Sequence, residues 1–324
     1  MVGKCVKRRK RKKLASNLPS IQTTYGNSGI IAIQRHMKRK NWPTFGKETL
    51  VMGILNVTPD SFSDGGEYFN NTDKAVDRAQ QMIAQGADII DIGAESTRPN
   101  AESVSKEEEL TRVIPVIQKI RKVCGENICI SIDTYKSHVA KEAVQAGADM
   151  VNDVSGLQMD KDMAKTVGML QVPVVINHMR GTPQTMQKEK IAYKDVVADI
   201  ISFFQEKIAL LQQSGVTKEN IILDPGFGFG KTVTYNIQIL KRFNEFTTLG
   251  FPTLIGISRK NTLGILLQET FKTNAPLPIT DRLEAGLAAS AIAVLNGTNI
   301  LRTHDVLQTK KFLSVLDKIK TYEN

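Results

Sequence analysis

Ile221-Ile222-Leu223-Asp224-Pro225-Gly226-Phe227-Gly228-Phe229-Gly230-Lys231 is a short β-branched run that ends in a carboxylate and breaks at once into Pro and Gly. Such a pattern reads as a buried strand feeding a functional loop. Spacing excludes two phosphate-binding loops. A P-loop closing at Gly230-Lys231-Thr232 needs Gly at position 225, where Pro stands, and a dinucleotide fingerprint opening at Gly226 needs Gly at 231, where Lys stands. What is left is a carboxylate at a strand's C-terminal end beside a glycine-rich floor, over which a flat ligand can approach the backbone. A lone Asp-Pro-Gly is most often only a turn.

The pattern is not alone. Working outward, residues 50–55 run apolar to Asn56, 89–92 to Gly93 and Glu95, 128–132 to Asp133, and Met150-Val151 to Asn152-Asp153. Residues 172–176 run to Asn177-His178, 253–257 to Ser258-Arg259-Lys260, and 299–301 to Arg302-Thr303-His304. Helical spacing fills the gaps. Val76, Ala79 and Ile83 lie on one face before a C-capping Gly86, and Ser105 and Glu108 form a capping-box pair ahead of Leu110, Val113, Ile117 and Ile120. Further helices are expected at 138–146, 161–170, 196–211, 237–246 and 283–295, and a last one carries apolar positions 312, 315, 316 and 319. Eight strand-like runs alternating with eight helix-like ones over about 270 residues predict an α/β fold of the TIM (β/α)8 barrel type. In that fold the active site forms where the strands end.

Composition agrees with strands covered by helices and bounds the rest. The net charge of +10 misleads, because residues 1–44 hold twelve Lys/Arg and no Asp or Glu, which leaves 31 of the 43 basic residues against 33 acidic ones. Residues 1–44 are therefore expected to be a basic, disordered extension, and residues 45–324 a near-neutral barrel. A short hairpin of 30–33 with 45–51 is expected to lead into it. Nucleic acid is not an expected partner, except through the basic tail, since charge is the sole argument for it. Three cysteines (Cys5, Cys124, Cys129) without C-x-x-C spacing read as reduced thiols. No apolar run approaches the roughly 18 residues of a membrane span, and residues 14–25 are too polar for a signal core. A cytoplasmic protein without membrane partners is the expectation.

The strand ends then define a rim. Asp133, Asn152 and Asp224 offer acceptors and one amide in a cup suited to a planar heterocycle with amidine-like N–H edges, which a carboxylate grips by two hydrogen bonds. Lys260, Arg302 and His304 add positive charge and donors that suit a phosphate or pyrophosphate. Asn56 is a weak metal ligand alone, but with pyrophosphate oxygens and waters it suits Mg²⁺. Thr58-Pro59-Asp60-Ser61-Phe62-Ser63-Asp64-Gly65-Gly66 and Thr97-Arg98-Pro99-Asn100 read as loops that close over substrate. Blander readings stand beside these: His304 as a loop hydrogen bond, Lys260 as a rim ion pair, His178 and Met179 as packing.

Residues 52–66, Asp91-Ile92-Gly93 through Ser96-Thr97-Arg98-Pro99, 224–231, Ser258-Arg259-Lys260 and Arg302-Thr303-His304-Asp305-Val306 together resemble dihydropteroate synthase of folate biosynthesis. The resemblance spans about residues 50–320, with motifs in the family's order; the basic segment falls outside it. It implies a homodimeric TIM barrel that condenses 6-hydroxymethyl-7,8-dihydropterin diphosphate with p-aminobenzoate and releases pyrophosphate. By matching position, Asp133, Asn152, Asp224 and Lys260 would hold the pterin, with Met179 and Phe229 against it. Arg302 and His304 would hold the diphosphate and Asn56 Mg²⁺. Ser61, Phe62, Thr97, Arg98 and Pro99, with Arg259 and Lys260, would form the p-aminobenzoate pocket. Two departures stand out: Asn261 where the family often has Ser, and Thr303 where it usually has Val. The alternatives are a methyltetrahydrofolate-corrinoid methyltransferase, which has no use for the Lys260, Arg302 and His304 set, and a non-catalytic pterin-binding homologue, in which lid or diphosphate residues should be missing.

Overall fold

The computed structural model describes residue 45 and residues 48–57, 72–95, 104–181 and 192–322. The expected basic extension, its strand at 30–33 and both loops expected to close over the rim lie outside these residues. Eight parallel strands are present: β1 (Leu50–Asn56), β2 (Ile89–Gly93), β3 (Cys129–Asp133), β4 (Met150–Asp153), β5 (Val174–Asn177), β6 (Ile221–Asp224), β7 (Leu254–Gly256) and β8 (Ile300–Thr303). They pair in the order β6-β5-β4-β3-β2-β1-β8-β7, and a parallel bridge from Leu223 to Thr253 joins β6 to β7. The sheet is thus closed, and all eight expected strands are barrel staves. Leu50 and Val51, which the sequence offers both to a leading hairpin and to the first strand, belong to the strand: they open β1 and pair with Ile300 and Leu301 of β8.

The helices cover the outside. They are α1 (Thr72–Ala84), α2 (Lys106–Cys124), α3 (Ser137–Ala146), α4 (Met163–Leu170), α5 (Val196–Gln213), α6 (Val233–Lys241), α7 (Asn244–Thr247), α8 (Asn261–Phe271), α9 (Leu283–Leu295) and α10 (Val306–Thr321). The Ser105 cap forms as expected, its Oγ accepting from Glu108 N at 3.1 Å. Two expectations are corrected. The helix at 237–246 is two pieces, α6 and α7, and α6 starts earlier because Thr232 caps it through Tyr235 N. Helix α8 was not expected at all. Its N-cap, Lys260, makes no side-chain cap bond, and Gly264 sits in its interior, so the usual start signal is missing and a breaker is present. Tertiary packing explains that glycine: a Cβ there would lie 2.7–2.8 Å from the Arg282 guanidinium.

The core is two-layered. Val51, Leu55, Ile90, Ile92, Ile130, Ile132, Val151 and Ile176 face the helices and build the larger cluster, where Phe204, Phe243 and Phe246 pack edge-on. Gly53 lets α1 approach, since a Cβ there would come 2.7 Å from Met82 Sδ. The alternate residues Leu50, Met52, Ile89, Cys129, Met150, Val175, Ile222, Leu254 and Ile300 fill the barrel floor, with Phe45 packed beneath. Each fully buried aliphatic here contributes about 1.5–3 kcal/mol of transfer free energy. A buried Arg121–Asp149 pair at 2.6 Å holds α2 to the start of β4 below the barrel.

Candidate active site

Side chains alternate along a strand, so the residues two steps beyond the floor also point inward. On β2, β3, β4, β6 and β8 those residues are Asp91, Ser131, Asn152, Asp224 and Arg302. The barrel is thus oily at its amino end and charged at its carboxyl end. Arg302 ties that layer together. Its Nε donates to Asp91 Oδ2 at 2.6 Å and its Nη2 to Asp133 Oδ2 at 2.6 Å. Asn152 Nδ2 donates to the same Asp91 oxygen at 3.1 Å. Burial lowers the Arg302 pKa, but Asp91 and Asp133 outweigh it, so the guanidinium stays firmly charged.

One guanidinium cannot neutralise this many carboxylates. Burial pushes Asp133 up to about 7 in spite of Arg302, with Asp91 adding repulsion. Asp224 is pushed up to about 6 by burial, although Oδ1 accepts from Gly226 N at 2.8 Å and Lys260 and Arg302 stand nearby. Lys260 moves the other way, down to about 8, through burial and the Arg302 charge. Three carboxylates (Asp91, Asp133, Asp224) against two cations (Arg302, Lys260) leave the cup short of donors. A ligand edge rich in N–H groups supplies them. Asp91 Oδ1, Ser131 Oγ and Asn177 Oδ1 are buried without a hydrogen-bond partner among the described residues.

The glycine-rich stretch lies beside the carboxylates as expected. Gly226 has φ 69° and could carry no side chain, because a Cβ would stand 2.0 Å from His178 O. Phe229 packs with Val154 and Met179 in a small apolar cluster that Tyr135 borders. The Lys260 ammonium sits 3.8 Å from the Phe229 ring centroid, a cation–π contact rather than the rim ion pair of the blander reading. Met179 and Phe229 thus line an apolar wall next to the acidic layer, which is what a flat heterocycle requires.

A second cluster flanks Lys260. Arg259, at φ 61°, turns its Nη2 to Asp305 Oδ1 at 2.7 Å. Ser258 Oγ stands 3.1 Å from His304 Nδ1 and 3.3 Å from Asp305 Oδ2. Burial and the Arg259 and Arg302 charges hold His304 down to about 3, so it is neutral. A non-glycine residue in the left-handed region marks a strained turn that its surroundings must hold. Here Arg282 does so, donating from Nη1 to Arg259 O at 3.1 Å and from Nη2 to Asn261 Oδ1 at 3.3 Å. The Asn261 side chain is thereby engaged, which leaves the first N–H groups of α8 as donors toward the rim.

Asp133, Asn152, Met179, Asp224, Phe229, Arg259, Lys260, Arg302 and His304 therefore assemble at one end of the barrel, and Asn56 ends β1 on the same rim. Ser61, Phe62, Thr97, Arg98 and Pro99 lie outside the described residues. Glu95, two residues past the end of β2, is held by the Tyr135 hydroxyl at 2.9 Å and by Lys136, which also reaches Glu109 at 2.6 Å. Asp91 had no role in the sequence reading. Its signal was its register, an inward position two residues before Gly93 on a strand with an otherwise apolar interior. Asp153 is structural: it accepts from Ser155 N, Ser155 Oγ and Leu157 N to fold the turn after β4.

Comparison with known proteins agrees with this geometry. The sequence profile of the family described as pterin binding enzyme matches residues 52–304. The dihydropteroate synthase of Clostridium beijerinckii is 42% identical over 275 residues, covering 85% of this chain and 95% of that protein. The structure of dihydropteroate synthase from Clostridium difficile, determined in the presence of pteroic acid, superposes with a TM-score of 0.78 at 44% identity, covering 87% of this chain and 100% of that one. The Xanthomonas albilineans enzyme with 4-aminobenzoic acid gives 0.75 at 39% identity, covering 85% and 94%.

Proposed function

The chain belongs to the pterin-binding enzyme family, and from that membership we infer that it is a transferase of folate biosynthesis with dihydropteroate synthase activity. It joins 6-hydroxymethyl-7,8-dihydropterin diphosphate to p-aminobenzoate, giving 7,8-dihydropteroate and pyrophosphate. The observation that carries this reading is the donor-poor cup of Asp91, Asp133, Asn152 and Asp224 with Arg302 and Lys260 at its edge. The aminopyrimidine edge of a pterin presents N–H groups to Asp224, and its face lies against Met179 and Phe229.

The chemistry needs no protein nucleophile. The bond between the pterin methylene and the diphosphate oxygen breaks, the electron pair leaves with pyrophosphate, and the arylamine nitrogen attacks the methylene and then loses a proton. What the site supplies is charge aimed at the groups where charge develops. Arg302 keeps Nη1 free of partners among the described residues, and Lys260 and Arg259 add further donors above the cup. The N-terminus of α8, opening at Asn261, suits the carboxylate of p-aminobenzoate.

Mg²⁺ fits these residues as a substrate-borne ion. Asn56 Oδ1 and Asp133 Oδ2 both lie 3.6 Å from the point where a Gly93 Cβ would stand, so glycine leaves the space between them open. No group of three or more acidic, His or Cys ligands occurs among the described residues. Asn56 would hold Mg²⁺ with diphosphate oxygens and water filling the remaining positions. When bound, the ion would offset the diphosphate charge.

We read the assembly as a homodimer through α9 and α10. Helix α9 is apolar apart from Glu284 in its first turn and Ser290, yet Ile292 and Leu295 are 47% and 61% exposed, as are Val315 and Ile319 on neighbouring α10 at 59% and 67%. Large apolar side chains that neighbour one another on two packed helices normally mark a surface that another chain covers. Sedimentation should give twice the chain mass, and Leu295→Lys should shift it to one. No described helix is long and apolar enough to cross a membrane. We read the protein as cytoplasmic, with Cys124 a free thiol, and fractionation checks that reading.

The deciding experiment combines purified protein, Mg²⁺, dihydropterin diphosphate and labelled p-aminobenzoate. Labelled dihydropteroate with equimolar pyrophosphate is expected. Absence of product from folded protein that binds neither substrate refutes the assignment.

A further inference from the structure

Lys231 closes the glycine-rich loop after β6 and has no part in the condensation. It is only 8% exposed. Its Nζ donates to the carbonyl oxygens of Gly226 at 2.9 Å, Phe229 at 3.0 Å and His178 at 3.0 Å, and stands 3.0 Å from His178 Nδ1. All four partners are neutral, since burial and Lys231 itself hold His178 down to about 2. A buried ammonium with only neutral partners is costly, and burial draws its pKa down to about 7. Such a group persists where something else depends on it.

What depends on it is the wall of the cup. Gly226, Gly228 and Gly230 have φ of 69°, 85° and 62°, so the loop's carbonyls converge inward instead of joining a ladder. Lys231 collects them and ties the loop after β6 to the end of β5 through His178 O. The outer side of the same loop carries ligand contacts. Phe229 supports the Lys260 ammonium, and Gly228 leaves room for the Lys260 stem, its hypothetical Cβ standing 3.1 Å from Lys260 Cδ. His178 is followed by Met179, which packs on Phe229.

We propose that Lys231 is a positioning residue: it clamps the loops after β5 and β6 into one wall and, through Phe229, sets where the Lys260 ammonium stands over the pterin. This rests on the pterin reading of the cup.

The test is binding of 6-hydroxymethyl-7,8-dihydropterin diphosphate, by calorimetry, to wild type, Lys231→Met, Lys231→Gln, Phe229→Ala and Lys231→Met/Phe229→Ala, with thermal unfolding of each. Lys231→Met should weaken binding about ten- to a hundred-fold, the scale of losing hydrogen bonds to a charged group. Lys231→Gln, which retains two donors, should lose less. The double variant should bind no worse than Phe229→Ala, because both changes act through one contact. Additive losses, or wild-type affinity in a folded Lys231→Met protein, overturn the proposal. So does failure of both Lys231 variants to fold, which would assign the lysine to the fold alone. Wild-type protein that does not bind the pterin refutes the pterin reading instead.

Discussion

Asp224→Asn separates what the carboxylate does for the ligand from what it costs the fold. The substitution is isosteric, and an amide oxygen can still accept from Gly226 N, so the loop after β6 should keep its shape. In the free protein the carboxyl is buried and its pKa stands at about 6 against an ordinary 3.8. At about 1.4 kcal/mol for each tenfold change, ionising it costs the fold on the order of 3 kcal/mol once the pH is above 6. The sign follows from the raised folded-state value: the stability of the wild type is complete below the unfolded pKa and declines as pH rises through 6. The Asn variant escapes that decline. It should match wild type near pH 4 and be more stable by about 2–3 kcal/mol at pH 8, read from urea unfolding at both values. Pterin affinity should move the opposite way, falling by on the order of 2–5 kcal/mol as the charge-assisted pair is lost. A variant that is no more stable than wild type at pH 8, or that binds pterin unchanged by calorimetry, removes Asp224 from this role.

Arg302→Met strands Asp91 and Asp133 in the barrel and should destabilise by about 3–5 kcal/mol, read from the unfolding midpoint in urea. A midpoint within error of wild type would show that the fork is not formed in solution. The pH dependence of kcat/KM should rise through about 6 as Asp224 ionises and fall above about 8 as Lys260 loses its proton; a flat profile from pH 5 to 9 detaches both from the reaction. Binding of p-aminobenzoate should tighten at least tenfold once Mg²⁺, pyrophosphate and a pterin occupy the barrel, since its site is completed by the first substrate; equal affinity in both titrations indicates a preformed pocket. Removing residues 1–44 should leave turnover at saturating substrate close to that of the full chain, and a collapse of activity would make that segment part of the catalytic unit.

Strand number, strand ends and most site residues were legible in the sequence because each is a local signal. A run such as 128–132 followed by Asp133 names both a stave and its rim residue, and a barrel places every strand end on one face whatever the long-range contacts. The motifs around Asn56, Asp224, Lys260 and Arg302 then pointed to one family. Helix α8 was not legible, because its glycine and uncapped start argue locally against a helix and only Arg282, packed over Gly264, accounts for them.

Tertiary structure alone decided who holds whom. Arg302 reads in the sequence as a phosphate donor; only the barrel shows that its Nε and Nη2 are held by Asp91 and Asp133, 211 and 169 residues away. Lys231 reads as the end of a loop motif, yet its three protons go to carbonyl oxygens of two different loops. The physical reason is that a closed barrel brings strands distant in sequence within a few ångströms across its interior. Charge balance, burial and hence the pKa of Asp133, Asp224 and Lys260 are properties of that enclosed layer, and no single stretch of sequence contains them.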